Sequence, residues 1–258
     1  MVNLSELYRY YQTDDATALA QHIQSGETAY VNGGKVMGTL EVPPSDPNFA
    51  SVGFLLPDTG RELSFSIYDT NTRFVADTPK FGSTSLAVDG AGDLLRSSIP
   101  TALGTLDFTI ETWLWPVNGG AGNNYGRIIQ MGPNGTNGGL YIVRLGAPNP
   151  LQFLVQTHSG SYWTVMQGGT SLPNTTWSHI ALVREAGDWS FYINGVRTLQ
   201  NTGVIPGDNL TQTTFYLGAN NSQGEGFNGR FNNTRITRGV ARYSGATYTV
   251  PTEGFPRN

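Results

Sequence analysis

The chain has no cysteine, so neither a disulfide nor a thiolate-bound metal holds it together, and the disulfide-dense class of small secreted scaffolds is excluded. Charge is scarce: 13% of the 258 residues are Asp, Glu, Lys or Arg, against ~25% in an ordinary globular domain. The 15 Lys and Arg are scattered and are outnumbered by 19 acids. Without grouped cations to neutralise phosphates, nucleic acid is not an expected partner. No apolar run is long enough for a membrane-spanning helix. Residues 1–25 lack the basic start and continuous apolar stretch of a secretory leader. No strand–GxxxxGK–helix unit supports phosphate binding, no repeat is visible, and long helical patterns are missing after residue 25.

What the chain does have is turn chemistry, with 33 Gly and 14 Pro, and apolar residues in short runs between the turns. That combination reads as all-β. The expected strands are Val52–Leu56, Leu63–Tyr68, Ser85–Val88, Phe108–Trp115, Arg127–Met131, Leu140–Leu145, Leu151–Thr157, Tyr162–Met166, Trp177–Arg184, Trp189–Ile193, Phe215–Leu217 and Arg230–Thr237. Closely spaced antiparallel strands of this number predict a two-sheet jelly-roll sandwich over residues 51–258. Trp177–Arg184 is apolar on both faces, as a central strand requires. The Gly/Asn-rich stretch 118–126 reads as a loop.

Residues 1–50 differ in character and read as an attachment segment. Leu4, Leu7, Tyr8 and Tyr11 have the spacing of a short amphipathic helix, and residues 16–23 suit a second helical turn ending near Gly26. Neither is long enough to be stable alone, which predicts docking on a partner and a homo-oligomer, taken as a trimer. Asn32-Gly33 is a strong type I′ hairpin signal, with Tyr30 and Lys35 on its flanks. Pro43 and Pro44 then break regular structure.

Residues 51–258 resemble the laminin-G-like branch of the concanavalin A-like lectin/glucanase superfamily. The motifs that carry this are FGSTSLAVDGAGDLL (81–95), DFTIETWLW (107–115), TWSHIALVRE (176–185), FYINGV (191–196), FYLGAN (215–220) and FNGRFNNTRITRGVARY (227–243). The last, with PTEGFP (251–256), is similar to domains frequent in bacteriophage virion proteins. GETAYVNGGKVMGTL (26–40) resembles a hairpin of phage tail and baseplate proteins. The resemblance implies a virion location, other virion proteins as partners of the attachment hairpin, and host-surface glycans as a ligand of the sandwich. Two departures stand out: Asn232 and Asn233 where acids are usual, and Leu94 where an aromatic is common.

Glycosidase chemistry needs two carboxylates facing one cleft, and on a strand these must sit two or four residues apart. The glucanase branch carries an E-x-D-x-x-E strand; here Glu111 is followed by Trp113 on the same face, and Asp107 falls at the strand start. His22, His158 and His179 have no partner at metal-ligand spacing, and His179 reads as a hydrogen-bonded core residue. No catalytic residue is therefore assigned. Calcium, which the resemblance brings into question, would use Asp89 and Asp93 in DGAGD, but that sequence reads first as a plain turn, and no metal ligand is assigned. For sugar, the candidate aromatics are Tyr125, Tyr162 and Trp163, while Trp113, Trp177 and Trp189 read as core. The expected function is a non-enzymatic virion protein displaying a lectin-like sandwich, with a soluble lectin and then a glycosidase as alternatives.

Overall fold

In the computed structural model of the chain, the residues described are 28–31, 34–37, 46–56, 65–68, 72–90, 92–121, 125–146 and 152–256. The expected helices of residues 1–25, His22, and the turn residues Asn32 and Gly33 lie outside them. The chain divides at Asp46/Pro47 into two units. In the first, β1 (Thr28–Val31) pairs antiparallel with β2 (Gly34–Met37), Tyr30 opposite Lys35 and Val31 opposite Gly34. That register leaves a two-residue connection, the length an Asn-Gly turn closes.

The second unit is an antiparallel two-sheet sandwich. Its strands are β3 (Val52–Leu56), β4 (Ser66–Tyr68), β5 (Arg73–Val75), β6 (Ser85–Asp89), β7 (Leu94–Ser98), β8 (Phe108–Ala121), β9 (Tyr125–Met131) and β10 (Leu140–Leu145). They continue as β11 (Phe153–His158), β12 (Tyr162–Gly168), β13 (Ser178–Glu185), β14 (Asp188–Ile193), β15 (Val196–Asn201), β16 (Thr214–Leu217) and β17 (Phe227–Arg238). One sheet has seven strands in the order β12-β11-β10-β9-β16-β7-β4; the other has eight, β15-β14-β13-β8-β17-β6-β5, with β3 also on β17. β17 is the seam. One flank pairs with β8; the other pairs first with β6 and then, past a bulge at Asn233 (φ 49°), with β3.

Alternation within each strand sets the core between the sheets. Phe108, Ile110 and Leu114 of β8, Ile180 and Leu182 of β13, and Phe231 and Ile236 of β17 meet Ile142, Phe153, Phe215 and Leu217 of the other sheet. Each such side chain, taken fully out of water, contributes about 1.5–3 kcal/mol. β13 is buried along nearly all its length between β8 and β14, as its doubly apolar pattern predicts.

Three expectations need correction. The Gly/Asn stretch after Pro116 is not loop throughout: β8 runs on to Ala121 through a positive-φ residue at Asn118 (φ 51°), held by pairing of Ala121 with Phe227. Trp177 is half-buried rather than core; its ring packs edge-on to Trp115 with centroids 5.5 Å apart, and its indole N–H donates to Thr78 O. β5, β7 and β15 were not among the expected strands.

Candidate functional site

The outward faces of the two sheets carry different chemistry. On the eight-stranded sheet, Thr109, Glu111 and Trp113 of β8 and His179, Ala181 and Val183 of β13 point away from the main core. They are not exposed: residues 239–255 cross over all but Trp113, and Phe81 and Lys80 cover the Trp113 ring. Ala181, Val183 and Tyr192 pack with Ala241, Tyr243 and Tyr248, and the Tyr243 and Tyr248 rings stack with centroids 3.7 Å apart. Phe255 closes the cluster over the Arg235 guanidinium, 4.0 Å from its ring centroid.

Under this cover lies a satisfied carboxylate. Glu111 Oε1 accepts from Arg235 Nε and lies 2.8 Å from Arg235 Nη2; its Oε2 accepts from Tyr243 Oη at 2.5 Å and lies 3.3 Å from His179 Nε2. His179 Nδ1 is 2.6 Å from Tyr248 Oη. Burial acts to raise the Glu111 carboxyl, but the His179 contact, the Arg235 charge and the Tyr243 hydroxyl outweigh it and hold the group below its ordinary range. Burial, reinforced by the Glu111 charge, pushes both tyrosines up. Asp107, outside the strand, accepts from Ala186 N at 2.8 Å. Glu111 therefore sits at zero exposure beside a cation, with no room for a sugar.

The seven-stranded sheet is different. Registered partners share a face, and one level of it reads Ser66, Arg96, Tyr216, Gln130, Tyr141, Gln156 and Thr164 across all seven strands. Every member can hydrogen-bond. The middle is roofed: Tyr141 Oη donates to Pro133 O, Gln130 Nε2 donates to Asn221 Oδ1, and the same oxygen accepts from Asn134 N. Burial drives the Tyr141 phenol up to about 12. Arg127, stacked on Tyr141 with its guanidinium carbon 4.9 Å from the ring centroid, is paired with Glu225 at 2.8 Å.

Among the described residues the face is open toward β4. Leu94, Arg96, Tyr216, Asn221, Ser222 and Gln223 line a recess of about 230 Å³. Phe65, Ser66, Arg96, Ser97, Ser98 and Thr214 line a second, of about 150 Å³. Leu94 and Tyr216 are buried and floor the first recess; Arg96 and Ser98 are exposed beside them. The Asn221–Gln223 wall is held by Asn220, whose Oδ1 accepts from Ser222 N at 2.9 Å and Gly224 N at 2.8 Å.

The expected site residues do not assemble there. Tyr162 and Trp163 stand on edge strand β12, each a little over two-fifths exposed. Tyr162 packs edge-on to Tyr141 and His158, while the Trp163 indole donates to Ser159 O. Tyr125 opens β9 opposite Leu145, whereas Tyr162 pairs with His158 near the Leu140 end of β10. About five residues of strand, ~17 Å, separate the two ends. Asp93 is buried and its Oδ2 accepts from Asp89 N at 2.8 Å, with Gly90 (φ 86°) and Gly92 (φ 100°) turning the chain between them. Burial and the neighbouring Asp89 raise the Asp93 carboxyl. Among the described residues no three His, Cys, Asp or Glu converge as a metal site. The departures at Asn232 and Asn233 have a structural reason: Asn232 Nδ2 donates to Phe81 O and Thr84 O, and Asn233 Oδ1 accepts from Phe255 N.

The recess at Arg96 escaped sequence reading because β7 meets β16 across more than a hundred residues. The available signal was the alternation in LLRSS, which puts Leu94, Arg96 and Ser98 on one side.

Among known proteins, the model of a family described as the concanavalin A-like lectin/glucanases superfamily matches residues 89–241. No curated protein matches significantly. Solved structures similar to this one include domain 4 of AbnA, an extracellular arabinanase from Geobacillus stearothermophilus, in complex with arabinotriose: TM-score 0.57 and 14% identity, covering 74% of this chain and 94% of that one. The binding domain of Paraclostridial mosquitocidal protein 1 gives TM-score 0.52 and 15% identity over 74% of this chain and 50% of that one. The botulinum neurotoxin serotype D binding domain gives TM-score 0.55 and 11% identity over 74% and 49%. The chain thus spans nearly all of the arabinanase domain and about half the length of the toxin domains. At these identities the likeness is one of fold.

Proposed function

The chain belongs to the concanavalin A-like lectin/glucanase superfamily, and from that premise we propose that it is a non-enzymatic carbohydrate-binding module. Its ligand lies on the open part of the seven-stranded sheet. The observation that carries this is the pair of adjoining recesses at Arg96, where a Tyr216 and Leu94 floor meets hydroxyl and carboxamide side chains. An apolar floor with convergent polar groups is the usual make-up of a small-molecule site. Against hydrolysis stands Glu111, the carboxylate inside the DFTIETWLW motif, sealed on the opposite sheet by Arg235, His179 and Tyr243. The arabinanase domain solved with arabinotriose is an independent instance of this fold meeting a glycan.

The setting we propose is a bacteriophage particle, in which residues 1–50 hold the module to other virion proteins. The phage-like hairpin sequence favours it, and β1 and β2, which pair only with each other among the described residues, are strands of the kind a partner sheet can extend. A glycan array probed with the full chain, with and without calcium, tests the binding. Hits that vanish on Tyr216→Ala support the site, and an array without hits overturns the reading. Deletion of residues 1–50 is expected to abolish particle attachment and leave sugar binding intact.

A further inference from the structure

Gln223 stands in the wall of the open recess, and we infer that its carboxamide selects the ligand, by pairing with two neighbouring hydroxyls of a sugar ring. This rests on the glycan-binding reading and deepens it. The backbone of Gln223 is left-handed (φ 60°). In that conformation a Cβ crowds the following carbonyl oxygen, whereas glycine enters it freely. Other left-handed residues of this chain have side chains engaged within it. Glu225 (φ 53°) pairs with Arg127 at 2.8 Å, Asn194 (φ 48°) accepts from His179 N at 2.8 Å, Asn233 (φ 49°) accepts from Phe255 N at 2.9 Å, and Thr78 (φ 49°) accepts from Arg230 Nη1. Gln223 is exposed, and its hydrogen bond among the described residues is made by the backbone, from its N to Asn220 O at 2.9 Å.

Backbone strain of this kind persists where the surroundings over-determine it, and it collects at ligand clamps. Here the surroundings do so. Asn220 Oδ1 accepts from the N–H groups on either side of residue 223, Ser222 N at 2.9 Å and Gly224 N at 2.8 Å. Gly92 lets the loop approach from its other side, since a Cβ at residue 92 would stand 3.0 Å from Gln223 O. The backbone at 223 is thus fixed without its own side chain, and glycine would suit it at least as well. The neighbouring Asn221 cannot take the same part, because its Oδ1 already accepts from Gln130 Nε2 and Asn134 N. A carboxamide presents an acceptor and an N–H donor side by side. That matches two adjacent ring hydroxyls, one donating and one accepting.

The test separates stability from binding. An array of cello-, manno-, galacto- and arabino-oligosaccharides is probed with the full-length chain, and the tightest hit is titrated against variants. Gln223→Gly should melt at or above the wild-type temperature, because it relieves the left-handed strain, with amide exchange at Ser222 and Gly224 unchanged. It should nevertheless bind the hit about 3- to 10-fold more weakly, the effect of losing a neutral hydrogen bond. Gln223→Ala should lose the same affinity, and Gln223→Asn should keep part of it. Among monodeoxy forms of the hit, one should bind wild type and Gln223→Gly alike. Undiminished binding by Gln223→Gly overturns the selecting role and leaves glycan binding standing. So does a binding loss that comes with a lower melting temperature or faster exchange at Ser222 and Gly224, which would make the side chain a structural one. An array without hits overturns both.

Discussion

Glu111 Oε2 lies 3.3 Å from His179 Nε2, and neither side chain has any exposed surface. The two belong to neighbouring strands, β8 and β13, and are joined from above by Tyr243 and Tyr248 of the segment that covers them. The arrangement of acid, histidine and hydroxyl looks like reactive machinery, but its burial beside Arg235 makes it a structural pin.

Replacing Glu111 by Gln keeps the shape and removes the carboxylate that Arg235 approaches through two nitrogens. Breaking a buried pair on one side costs about 3–5 kcal/mol. Chemical denaturation should record a loss of that order, while glycan affinity of the folded protein stays unchanged. A stable variant with altered sugar processing would contradict the pin.

The pH dependence has a definite sign. The folded Glu111 carboxyl titrates below its ordinary 4.5, so its stabilisation is complete above the unfolded value and is lost as pH falls through the folded one. The melting temperature should decline below pH 4.5, and the Glu111→Gln variant should decline less steeply over the same window.

Asn194 (φ 48°) and Gly195 (φ 79°) close the β14–β15 hairpin, and the Gly195 carbonyl accepts from Tyr248 N at 2.8 Å. A Cβ at residue 195 would stand 2.4 Å from Tyr248 O. Gly195→Ala therefore combines a left-handed backbone penalty of about 1–2 kcal/mol with a clash against the covering segment. Denaturation should show at least that loss, with faster hydrogen exchange at Tyr248.

Trp163 and the trough lie at opposite sides of one sheet. From β12 to β7 is five strand steps, about 24 Å. Trp163→Ala should change glycan affinity by less than about twofold, since surface contacts outside a binding site contribute little, whereas Tyr216→Ala should abolish binding. The reverse pattern would move the ligand to the rim that the exposed aromatics suggest.

Local pattern carried a good part of this architecture. The doubly apolar TWSHIALVRE run reads as a central strand and is one, and alternation along it places His179 in a buried hydrogen-bonded position. RFV (73–75) is too short to signal a strand, DGAGD draws attention from LLRSS, and VRTLQN (196–201) lacks alternation. The cover on Glu111 depends on Tyr243, Tyr248 and Phe255 returning from far along the chain, and no periodicity encodes that return. Aromatics in or just after turn-rich stretches point to Tyr125, Tyr162 and Trp163, whereas the recess at Arg96 exists only once β7, β16 and the Asn221 loop are side by side.

The place of β17 governs how the domain comes into being. It joins β8 on one flank to β6 and β3 on the other, so partners fixed early in the chain wait for a strand more than a hundred residues downstream. Pairing of such high contact order puts refolding in the slow range of roughly milliseconds to seconds. Until β17 arrives, β6 and β8 present raw edges open to the wrong neighbour. Expression of fragments ending short of residue 227 should accordingly yield aggregate rather than a smaller soluble sandwich.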